Sequence, residues 1–174
     1  MTREEININE LSNFRFDNKI IIKGINNHFD DITVNTVLVH SHLSTLLGPF
    51  VIQAANDIKV SREIVIQKMA LALKHTLAIC DACNYDLPEE SEVEEFENSL
   101  SYDIKMDSVL TLTEMIMCAL DILHIINFHS DSALIWAEET VPDDFEKNII
   151  SIIIGIKNIG RKYAFTMKDV LVEM

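Results

Sequence analysis

Three acids on one apolar run are the residues best spaced for chemistry. Asp107, Glu114 and Asp121 fall seven apart in DSVLTLTEMIMCALDILHIINF, residues 107–128, with Thr111 and Cys118 between them. The run holds neither Gly nor Pro and reads as a helix, so a period of seven sets the carboxylates along one face. Two turns separate successive acids by about 10.5 Å along the axis. Mg²⁺ draws its oxygens to about 2.1 Å, so no two of these acids share one ion. A metal site built on Glu114 and Asp121 therefore needs further carboxylates, from Asp81 or the acidic stretch that follows it. Without them the stripe is the solvated face of an amphipathic helix, balanced by Lys68, Lys74 or Lys162. Asp107 stands at the helix start, where the dipole favours an acid.

Other groups invite a chemical reading and mostly resist it. Cys80-Asp81-Ala82-Cys83 is a CxxC pair, but it falls at the C-terminal end of an apolar helix, the wrong end for a thiolate. No second CxxC exists to complete a zinc site, so these cysteines are expected as small core hydrophobes. Asp121 and His124 have the spacing of an acid–imidazole pair, with no nucleophile placed to use it. His40 and His42, two apart, point to different faces. Lys74 and His75 are polar groups on an otherwise apolar helix and could line a pocket for a small ligand. There is no glycine-rich phosphate loop, HExxH or GxSxG.

Positioning any of these groups falls to helices. Three prolines and four glycines are few breakers for a chain of 174 residues, which favours an all-α fold. The first helix is expected from about Thr33 to Leu47, with a kink or restart at Gly48-Pro49 and a separate short helix from Pro49 to Asn56. Ser61 caps a second helix, running to about Asn84, with Val65, Ile66, Met69, Leu73, Leu77, Cys80 and Cys83 inward. Residues 86–103 carry no basic side chain and read as an acidic loop, or as a short helix from Pro88 to near Phe96.

After 107–128, Ser130 or Asp131 caps a short segment containing Trp136, and Val141-Pro142-Asp143-Asp144 reads as a helix start. NIISIIIGIKNI is rich in β-branched residues. Its period is nonetheless helical, with Lys147, Ser151, Asn158 and Lys162 on one side and Ile149, Ile152, Ile156 and Ile159 on the other. Gly160 is the expected stop. Thr166 and Asp169 form a cap for a last short helix to Met174. Residues 1–33 read as an N-terminal arm with a short β-hairpin about Asp17-Asn18. The expectation is one bundle of about five helices over residues 34–174.

In outline such a bundle is similar to the all-α nucleotide pyrophosphohydrolases. That resemblance implies Mg²⁺ held by an EExxE helix and an ExxD helix. Here Glu89-Glu90, Glu94-Glu95 and Glu138-Glu139 lack the third Glu, and Met117 stands where Glu114 would need an Asp partner.

A net charge of −14 excludes a binder of phosphate backbones and favours basic or neutral partners, or divalent cations. Met1 is not followed by a signal peptide, and no run reaches the ~20 apolar residues of a membrane span. Three cysteines suit a reducing cytoplasm better than a disulfide framework. Heavy use of Ile and Asn suits an AT-rich genome, such as that of a phage or low-GC bacterium. The reading is a soluble, cytoplasmic, non-enzymatic interaction or regulatory protein that binds a protein partner or itself as a homo-oligomer, with no nucleic acid, membrane or cofactor. Ile150 and Ile154, toward the polar side of their helix, would serve such an interface. The alternative is a Mg²⁺-dependent hydrolase of nucleotides or similar phosphorylated molecules, using Glu114 and Asp121.

Overall fold

A computed structural model describes residues 28–83, 85–128 and 143–174, and these form seven helices with no strand among them. They are α1 (His28–Asn56), α2 (Arg62–Ala82), α3 (Glu90–Ser99), α4 (Tyr102–Met106), α5 (Ser108–Phe128), α6 (Asp143–Tyr163) and α7 (Met167–Glu173). The four long helices close a ring: α1 packs on α2 and α5, and α6 packs on the far sides of both. The short helices lie unevenly around it. Helix α3 lies on α6, α4 lies on α5 and α6, α7 lies on α2, and none of the three makes more than a marginal contact with α1.

Local chemistry explains most boundaries. Ser61 Oγ accepts from Ile64 N–H and opens α2, and Asp107 Oδ1 accepts from Val109 and Leu110 N–H and opens α5. Thr166 and Asp169 exchange hydrogen bonds in a capping box at the start of α7. The expected break at Gly48-Pro49 does not occur, and α1 runs through it unbroken. Proline frees only the carbonyl of residue i−4, here Thr45, which is on the solvent side where water can satisfy it. Gly160 does not end α6 either. The turn falls at Ala164, whose φ is 56°, with Phe165 N–H donating to Gly160 O at 3.1 Å in a Schellman closure. Gly160 instead makes room, since a Cβ there would lie 2.8 Å from the Phe165 ring.

Of the two readings of the acidic stretch the short helix holds, shifted by two or three residues: Glu89 and Glu92 form a capping box, and α3 then buries Val93 and Glu97. The most enclosed of the long helices is α6, in which every residue from Ser151 to Gly160 is buried. Ile154 lies inside the core, which removes it as an interface residue. Ser151 and Asn158, expected toward solvent, are buried too, under α5 and the α3–α4 cover. The hairpin about Asp17-Asn18 and the Trp136 segment lie outside the described residues.

Helices α1 and α5 also reach the length and composition of a membrane span, over Ile32–Asn56 and Ser108–Ile126, which corrects the expectation that no run is long enough. Core helices of soluble bundles meet the same test.

Candidate functional site

The acidic ladder does not converge on a site. Asp107 is used as a cap, Glu114 is half-buried, and Asp121 is exposed. Thr111 and Cys118, expected on the same face, are buried, so the stripe straddles the edge of the core rather than facing one way. Among the described residues no three of His, Cys, Asp and Glu gather in a group that could hold a metal ion. The Mg²⁺ reading then rests on Glu114 and Asp121 alone. A thermal shift with Mg²⁺ that vanishes in Glu114→Gln would be needed to sustain it. No hydrogen bond joins Asp121 to His124 among the described residues.

The three cysteines are buried and none is in a disulfide. Burial, with the Glu114 and Asp121 carboxylates nearby, pushes the Cys118 thiol up to about 12, so it is neither a nucleophile nor a ligand at neutral pH. Lys162, expected near the ladder, reaches instead to Met106 O at 3.4 Å.

Lys74 and His75 face different partners. Lys74 Nζ donates to Met174 O at 2.8 Å, tying the end of the chain to α2. His75 Nδ1 lies 2.8 Å from Oδ1 of the buried Asn35, and its ring stacks on His42 at 5.5 Å between centroids. An amide oxygen only accepts, so Nδ1 carries a proton. Burial, then His42 and Lys74, lower the His75 pKa to about 4. Burial and Lys68 lower that of His42 as well. The pair reads as a packed polar contact between α1 and α2.

The sign of its pH dependence follows. Unfolded His75 binds a proton near its ordinary 6.5, whereas the folded ring refuses it until about 4. The stability present above 6.5 is therefore lost as pH falls through that window. After allowance for the ring's partial exposure the loss is roughly 1–2 kcal/mol. Urea titrations at pH 7 and pH 4.5 should show a smaller loss in His75→Gln than in the unaltered chain. Equal losses would remove His75 as the cause.

Sequence patterning missed a buried ion network. Lys157, 6% exposed, holds Glu90 at 3.0 Å and Glu97 at 3.7 Å, and Arg161 also pairs with Glu97. The signal was present: Glu90, Val93 and Glu97 recur at i, i+3 and i+7, and Lys157 and Arg161 at i and i+4. Facing stripes of opposite charge dock α3 on α6.

The most extensive candidate surface was also missed. From Ile32 to Asn56, α1 has no Asp, Glu, Lys or Arg. Its outer stripe of Val34, Val37, Ser41, Thr45, Gly48 and Ile52 is exposed, Val37 by 48%. The adjoining α5 exposes Leu110, Met117 and Leu120, Met117 by 50%. Of the four long helices, α1 is the one on which none of α3, α4 and α7 packs by more than a marginal contact, whereas α4 packs on α5.

Among the described residues, fold and surface together define the class: an all-α bundle whose short helices pack on α2, α5 and α6, with an uncharged apolar stripe exposed on α1. Comparison with protein-family models, curated proteins and solved structures finds no match to this chain.

Proposed function

We propose that this is a non-enzymatic interaction protein of the cytoplasm that associates with a second copy of itself through the outer faces of α1 and α5. The observation that carries this reading is the exposed α1 stripe, set in a 25-residue span without a charged side chain on a chain of net charge −14. Large exposed apolar patches on bundles mark association surfaces. Charge decides the occupant. A basic partner would be drawn to the acidic remainder, where its cations find carboxylates. Two copies repel everywhere except where acids are missing, and a two-fold contact sets each patch against itself. On α1 that contact opposes no like charges. Buried thiols without disulfides suit the reducing compartment.

Val37→Glu combined with Met117→Glu tests the surface. Both side chains are about half-exposed, so the fold should survive, as circular dichroism would show. Burying two unpaired carboxylates per copy should weaken association by about 100-fold or more. Association unchanged in the double variant would place the contact elsewhere.

A further inference from the structure

Lys105, Arg161 and Lys162 converge on a cleft of about 510 Å³ between α4 and the last turns of α6, lined also by Tyr102, Met106 and Asn158. On so acidic a chain, three cations around one volume are unexpected. Part has a structural reason, since Arg161 and Lys162 stand in the last turn of α6, where the dipole favours cations. Arg161 is also partly used, against Glu97 and against Asn158 Oδ1 at 2.9 Å. Lys105 also stands in the last turn of its helix, but α4 has only five residues and so a small dipole, and it reaches the same volume from a different element. Among the described residues neither Lys105 nor Lys162 has a carboxylate within 4.0 Å.

Asn158 adds a second, independent sign. It is 7% exposed, and its Nδ2 has no hydrogen-bond partner. The amide orientation is fixed, because Arg161 can only donate and so must meet the oxygen. An unmet buried donor costs about 1–3 kcal/mol, which an acceptor entering beside it would recover. Tyr102 and Met106, 72% and 57% exposed, hold an aromatic ring and a polarizable thioether at the same opening.

We propose that this cleft binds a small organic phosphate of mononucleotide size. Lys105 and Lys162 would neutralise the phosphate as point charges. The flat ring would lie against Tyr102 and Met106. The volume is within the ~300–1,000 Å³ range of small-molecule sites. The cleft shares no lining residue with the exposed α1 and α5 side chains of the association surface, so ligand binding and self-association can be tested with separate variants.

Calorimetry at low salt with AMP, GMP, CMP and UMP tests this, with inorganic phosphate as the ring-free probe. At least one mononucleotide should bind with a Kd below about 1 mM. Lys105→Gln with Lys162→Gln should weaken it about 10-fold or more while leaving the fold intact. Tyr102→Ala should weaken the mononucleotide several-fold and leave inorganic phosphate unchanged. The proposal is overturned if none of the four binds, if the double lysine variant binds equally, or if inorganic phosphate binds as tightly as the nucleotides.

Discussion

Lys157→Met should lower the unfolding free energy by about 3 kcal/mol. Lys157 is 6% exposed and sits between Glu90 and Glu97, the latter itself 8% exposed. Methionine keeps most of the volume, so the cost is electrostatic. The variant leaves two carboxylates at a helix interface with only Arg161 to balance them. Breaking a buried pair from one side is far costlier than never building it, because the orphaned charge stays desolvated. Neutralising the acids as well, with Glu90→Gln and Glu97→Gln, should therefore recover much of the loss. Lys147→Met, at an exposed pair with Asp144, should change stability by less than about 0.5 kcal/mol. Urea unfolding of the three variants beside the unaltered chain checks the set. A Lys157→Met loss below about 1 kcal/mol would mean that α3 is held by Val93 and its neighbours rather than by charge.

Gly155→Val should cost about as much for a steric reason. Gly155 is mid-helix in α6, where glycine is intrinsically poor by about 1 kcal/mol, so something must require it. A Cβ at this position would overlap Met115 Cγ and Sδ, and Met115 is wholly buried in α5. Gly155 thus lets α5 and α6 approach closely. Valine forces that contact apart, at about 3 kcal/mol by the usual cost of overpacking. The second-site change Met115→Ala vacates the same space and should restore part of the loss. Thermal unfolding of the two single variants and the double gives the coupling. Strict additivity would show that Gly155 is there for another reason.

Legibility in the sequence followed the range of the forces involved. Caps are local, and Ser61, Asp107 and the Thr166/Asp169 box are each set by hydrogen bonds within three residues. Apolar periodicity identified α2, α5 and α6 as helices and sorted most of the α2 core. Partnerships across the bundle were not legible. The run 86–103 reads equally as a loop or a short helix until Lys157 and Arg161 are placed opposite it. Ile154 looks outward on a helical wheel, but α6 is covered on more sides than one stripe implies. His42 and His75 are on different helices, and nothing in their spacing shows that they stack. Net charge is legible as a total of −14, but a total carries no positions, and only the fold shows that Lys105, Arg161 and Lys162 line one cleft. The charge-free run of α1 was in plain view. Its meaning depended on knowing that no short helix packs over it.

Self-association through that face is the central claim, and the mass of the unaltered chain in solution tests it most directly. Light scattering coupled to size exclusion, run over a range of protein concentrations, should give twice the 19.8 kDa of one chain. The dimer fraction should rise with salt, as the acidic surfaces are screened while the uncharged α1 part of the contact is not. A mass of one chain at every concentration and salt would contradict it.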